Sequence, residues 1–109
     1  MEKINISITD ENFLELNVGS SYLNAVITKE DEIYCSLCIE LNIASEGETL
    51  NEAKENLLEA VKDYIELSVE NKTPIIRLVP IEDNPLLNPG QNIVEVFRIK
   101  VNMNLSEYA

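Results

Sequence analysis

One segment constrains the fold of this 109-residue chain more than any other. Thr49 is followed three positions later by Glu52, a capping box in which hydroxyl and carboxylate satisfy otherwise unpaired backbone donors at a helix start. Leu50, Ala53, Leu57, Ala60, Val61, Tyr64, Ile65 and Ser68 then recur at three- and four-residue spacing, which predicts a helix with one apolar face. The opposite side carries Glu52, Glu55, Glu59, Asp63 and Glu66 against Lys54 and Lys62. Like charges four residues apart, such as Glu55 with Glu59, weaken a helix by roughly a few tenths of a kcal/mol each. An acidic stripe of this kind is ordinarily a solvated face, though a basic partner would use it.

The remaining elements read as strands. Ile4, Ile6 and Ile8 alternate with polar residues, as do Leu14, Leu16 and Val18, with the polar run Thr9, Asp10, Glu11 and Asn12 between them. That pattern predicts an N-terminal hairpin. After the break at Gly19, Ser20 and Ser21, residues 23–28 form a β-prone run ending in Val26, Ile27 and Thr28. Lys29, Glu30, Asp31 and Glu32 make the next turn, and residues 33–38 read as the returning strand, with Tyr34, Ser36 and Cys38 on one face. A short strand over residues 44–46 follows, and Gly47 permits the change of direction into the helix. Pro74, Pro80, Pro85 and Pro89 mark residues 73–90 as a connecting segment, in which residues 75–79 could hold a short edge strand. Alternation returns over residues 93–103, with Phe97, Ile99, Val101 and Met103 on one face, as a long strand that completes the sheet or pairs with a second molecule.

Charge then narrows the function classes. Twenty acids oppose eight bases, a net charge of −12, and the bases are scattered. Binding a phosphate backbone requires clustered Lys and Arg that release counterions, so direct binding to nucleic acid or to an anionic membrane is not expected. A basic protein is the complementary partner; simple solubility is the plainer explanation of the same number. Length and composition fit one globular domain. No segment approaches the ~20 apolar residues of a membrane span, and the start Met1, Glu2, Lys3, Ile4, Asn5 lacks a signal-peptide layout. The expectation is a cytoplasmic protein.

Histidine is absent, which removes the commonest general base near neutral pH and the commonest zinc ligand. Cys35 and Cys38 match C-x-x-C spacing, but within a strand positions i and i+3 point to opposite faces, and two thiols are half of a structural zinc set. They read as core cysteines, and no metal or cofactor is expected. The acid clusters Glu30, Asp31, Glu32 and Glu82, Asp83 fall in turns, where carboxylates are normally solvated; phosphate-cradling glycine motifs are missing.

Residues 25–67 resemble the HicB antitoxin family. The residues that carry the resemblance are Val26 to Thr28 with the acidic turn Lys29, Glu30, Asp31, Glu32; then Tyr34, Ser36, Leu37, Cys38, Glu40 and Leu41; then Ala44, Ser45, Gly47 and Thr49; and then Leu50, Glu52, Ala53, Asn56, Leu57, Glu59 and Ala60. Ile39 stands where the family commonly has proline. The resemblance implies a partial RNase H-like, α+β fold: an antiparallel sheet of three to four core strands with one helix packed across it. To this the chain adds the N-terminal hairpin and the long C-terminal strand. The expected organisation is a single HicB-like domain over 1–109, with 1–22 an N-terminal extension, 23–69 the family core and 70–109 the proline-containing connection and last strand.

The same resemblance implies a binding protein rather than an enzyme, one that neutralises a small basic RNA-cleaving toxin of the HicA type by covering its RNA-binding and catalytic surface. The acids expected to meet that partner are Glu30, Asp31 and Glu32 in the turn, Glu40 beyond the second core strand, and Glu55 and Glu59 on the helix. Ser45, Gly47, Thr49 and Glu52 are read as structural, holding the strand-to-helix turn. Residues 70–109 show no counterpart of the C-terminal DNA-binding module that many HicB proteins carry, so DNA binding by this chain is not expected. Two other readings compete: an orphan HicB-like domain that self-associates, most simply as a dimer, without toxin or catalysis, and a divergent nuclease using metal-bound carboxylates.

Overall fold

β-branched and aliphatic residues at every second position fit a pleated surface covered on one side, and runs of this kind before and after the helix form one sheet. The computed structural model describes residues 2–11, 20–88 and 90–107. Its elements are β1 (Glu2–Glu11), β2 (Ser20–Glu30), β3 (Ile33–Cys38), β4 (Ile43–Gly47), α1 (Leu50–Asn71), a 3₁₀ turn (Ile81–Asp83) and β5 (Ile93–Glu107). The five strands form one sheet in the order β1-β5-β2-β3-β4, and every neighbouring pair is antiparallel. The fold is α+β, with α1 packed across one face.

The face under α1 holds the core. Leu23, Ala25 and Ile27 of β2, Cys38 of β3 and Phe97, Ile99 and Val101 of β5 meet Leu57, Val61 and Ile65 of α1. The alternation in each strand and the 3.6-residue period of the helix are thereby satisfied together. Val26, Ile39 and Val79 are also buried, outside that cluster. Val26 alternates with Ala25 and Ile27 and so faces away from α1; the segment after the helix reaches this side, where the Val79 N–H donates to the Ile39 carbonyl at 2.9 Å.

Two expectations are revised, and the long C-terminal strand completes the sheet as expected. β1 continues through Glu11, so Thr9, Asp10 and Glu11 are strand and not turn, and β1 pairs with β5, Ile4 lying opposite Leu105 and Ile8 opposite Val101. The second half of the expected hairpin, Leu14, Leu16 and Val18, lies outside the described residues. Residues 75–79 form no strand: the Arg77 and Val79 N–H groups bond the Glu40 and Ile39 carbonyls, but Pro74 and Pro80 bracket the segment and contribute no donor. β5 lies inside the sheet, with β2 on one side over 93–102 and β1 on the other over 98–107.

Candidate partner-binding surface

The strand-to-helix turn at Gly47 fixes one end of the molecule. A Cβ on Gly47 would lie 2.5 Å from the Ala53 backbone nitrogen and 2.8 Å from the Glu52 carbonyl carbon, so this position admits no side chain. Thr49 is the N-cap, its hydroxyl accepting from the Glu52 N–H at 3.1 Å. Asn56 Nδ2 donates to the Glu46 carbonyl at 2.8 Å, and the buried Ser36 hydroxyl donates to the Ala53 carbonyl at 3.0 Å. Ser45 stands opposite Ser36 in the β3–β4 ladder. Gly47 and Thr49, with the Asn56 and Ser36 bonds, therefore hold the start of α1 against the edge of the sheet, and Glu52 takes part through its backbone N–H.

This turn brings the acids together. Glu30 pairs with Ile33, leaving Asp31 and Glu32 as a two-residue turn with Asp31 in the left-handed region at φ 55°, which aspartate tolerates. Tyr34 pairs with Gly47, so Glu48 and the first turn of α1 leave the sheet at the same end as the β2–β3 turn. Glu30, Asp31, Glu32, Glu48, Glu52 and Glu55 are all exposed there. Glu59, also exposed, lies about 15 Å along the helix axis from the N-cap at 1.5 Å per residue.

The nearby cations are turned inward. Lys54 Nζ lies 2.6 Å from Glu95 Oε2 and 4.8 Å from the centre of the Phe97 ring. Lys29 Nζ lies over the Tyr34 ring at 5.2 Å. Such contacts hold a cation on an aromatic face, and they leave the carboxylates as the outward-facing charge at this end.

Glu40 has another task. Its carboxylate accepts from the Asn24 N–H and from Asn24 Nδ2, both at 2.7 Å, and its carbonyl accepts from the Arg77 N–H. These bonds tie β2 to the segment after β3. Arg77 completes that tie, its Nε and Nη2 donating to the Leu41 and Asn42 carbonyls, with its guanidinium over the Tyr64 ring.

The two thiols diverge as strand geometry requires. Cys38 is fully buried under α1, and burial pushes its thiol up to about 12 despite backbone bonds from Leu41 and Glu40. Cys35 lies on the other face; burial, then the carboxylates of Glu30 and Glu46, hold its thiol above the ordinary value. Both are free and protonated at neutral pH. Among the described residues no group of three or more Cys, Asp or Glu side chains is placed to hold a metal ion, and Glu82 and Asp83 stand exposed on the connecting segment. No helix among them is long and apolar enough to cross a membrane.

One feature escaped the sequence reading: large aliphatic side chains exposed on and after the proline-rich segment, among them Ile76, Leu78, Ile81 and Leu87. Its signal was present, as apolar residues dense in a stretch with neither helical nor strand period. Comparisons with protein families, with curated proteins and with solved structures find no match for the chain.

Proposed function

We propose that this chain is a HicB-like antitoxin-type protein of the cytoplasm, with no catalysis of its own, that neutralises a small basic RNA-cleaving toxin of the HicA type. The observation that supports this reading most is the acidic end, where the β2–β3 turn and the start of α1 put exposed carboxylates at the same end of the sheet while Lys29 and Lys54 lie over aromatic rings. Glu30, Asp31, Glu32, Glu55 and Glu59 would occupy the positions that RNA phosphates take on a basic surface, raising the association rate and excluding RNA by competition. The resemblance over residues 25–67 supplies the identity of the partner; the geometry supplies a surface of the right charge.

A pull-down from the native lysate tests the proposal. Recovery of a small basic protein, lost when Glu30, Asp31 and Glu32 are all changed to Lys, is the expected outcome. Recovery of no such protein counts against it.

A further inference from the structure

β4 forms one edge of the sheet: in the order β1-β5-β2-β3-β4, no described strand lies beyond it. The phase of the ladders shows what this edge presents. The Ile39 N–H donates to the Asn24 carbonyl, so Leu37, Cys35 and Ile33, an even number of positions away, also turn their backbone groups toward β2. Tyr34, Ser36 and Cys38 turn theirs toward β4, where they meet Gly47, Ser45 and Ile43. Ala44 and Glu46 are left with N–H and C=O directed out of the sheet, and both residues are exposed. Asn56 Nδ2 occupies the Glu46 carbonyl. Among the described residues the Ala44 N–H, the Ala44 carbonyl and the Glu46 N–H have no partner, which is the condition of a strand edge open to a further strand.

The β1–β2 connection is too short to pair here. From β1 to the far side of β4 is five strand spacings and back to β2 three, roughly 38 Å at ~4.8 Å each. The steps from Glu11 to Ser20 span at most about 32 Å.

One flank of α1 overlooks the open edge. Asn56 marks it by its bond to Glu46, and Glu52, Glu59 and Asp63, at i−4, i+3 and i+7 from Asn56, share that flank and are exposed. Lys54 lies on the opposite flank, paired with Glu95 of β5. Ser45 stands opposite the Ser36 that bonds α1, so Glu46 carries its carboxylate on the other face of the sheet.

We propose that an extended segment bearing Lys or Arg, contributed by a basic protein, adds to β4 as a further strand. Its backbone bonds the Ala44 N–H and carbonyl and the Glu46 N–H. Its side chains alternate between the two faces, so basic residues meet Glu52, Glu59 and Asp63 on one and Glu46 on the other. Backbone pairing combined with side chains read at alternate positions is a recurring mode of peptide capture. Charge selects this occupant: a second copy would bring the same carboxylates to the same edge, and like charges opposed across strands are unfavourable. This contact rests on the reading above only in requiring a basic partner, not an RNA-cleaving one.

Calorimetric titration of the full chain with an end-blocked peptide of alternating lysine and valine tests it, against a control peptide of the same sequence and charge with every backbone nitrogen methylated. The unmodified peptide should bind the wild type. The methylated peptide should bind roughly tenfold more weakly or worse, and Ala44→Pro should weaken the unmodified peptide by a similar factor. Proline at this position removes an outward donor and leaves the ladder to β3 in place, as an edge strand allows; an unchanged urea midpoint confirms that the variant folds. Hydrogen exchange on the wild type needs no variant: the peptide should slow exchange at the Ala44 and Glu46 amides. Absence of binding, equal affinity for the two peptides, or unchanged exchange at both amides overturns the proposal. If native lysate yields no basic partner while the peptide binds at β4, the antitoxin reading fails and the strand edge stands. If a basic protein is captured equally by the wild type and folded Ala44→Pro, it docks elsewhere and the strand addition is wrong.

Discussion

Asn24 and Glu40 are joined by two hydrogen bonds of 2.7 Å, one from the Asn24 backbone and one from its side chain, each ending on a different oxygen of the same carboxylate. Both bonds are charge-assisted, and they fix the chain beyond β3 against β2, where Arg77 then docks. Glu40→Ala should lower stability by about 1–2 kcal/mol, measured as a shift of the urea midpoint at constant slope. Capture of a basic partner by the folded variant should be unchanged; a stable variant with impaired capture would return Glu40 to the contact surface.

Gly47 stands where any Cβ would run into the backbone of α1 at Ala53. Backbone on both sides of the contact leaves no flexible neighbour to give way. Gly47→Ala should therefore destabilise by about 3 kcal/mol, at the upper end of overpacking effects, whereas Thr49→Ala, which removes only the N-cap bond, should lose about 1 kcal/mol. Equal midpoints for the two variants in urea would contradict this ordering.

Lys72 closes α1 in the left-handed conformation at φ 57°, with the Thr73 N–H donating to the Ser68 carbonyl and the Lys72 N–H to Val69. This is the Schellman arrangement, usually completed by glycine because a Cβ is penalised there. Lys72→Gly should raise stability by roughly 0.5–1 kcal/mol, visible as a higher thermal midpoint. A lower midpoint would mean that the lysine side chain contributes more than its backbone strain removes.

Cys38 gives the fold a signature at alkaline pH. Its thiol titrates at about 12 in the folded protein against 9.0 when exposed, so below pH 9 it is protonated in both states and its contribution is complete. Between 9 and 12 the unfolded chain loses the proton and the folded one keeps it, so stability falls as pH rises, by up to ~1.4 kcal/mol per pH unit from this group. Unfolding free energy should therefore decline more steeply above pH 9 in the wild type than in Cys38→Ala. Parallel curves would show that Cys38 ionises freely in the folded state.

How much of this was legible in the sequence follows from the range of each interaction. α1 and β3 were readable because capping, helical period and strand alternation are local: Thr49 and Glu52 lie three residues apart, and residues 33–38 are β3 as expected. The partner of β1 was not. Alternation shows that residues 4–8 are extended but carries no information on which strand lies alongside; among the described residues that neighbour is β5, almost a hundred residues away. The tie between Glu40 and Asn24 is not legible for the same reason, since the two residues stand 16 positions apart. The acidic turn was legible because a hairpin turn is local; its position beside the first turn of α1 depends on the Tyr34–Gly47 pairing.

Neutralisation of a basic RNA-cleaving partner through the acidic end is tested most directly by an RNA-cleavage assay. The small basic protein recovered with this chain from native lysate would be titrated with purified chain. Cleavage should fall to background near one equivalent, and the folded triple variant Glu30→Lys/Asp31→Lys/Glu32→Lys, altered only at exposed positions in and beside the β2–β3 turn, should fail to suppress it. Cleavage that persists at excess wild-type chain, or is suppressed equally by the triple variant, would contradict it.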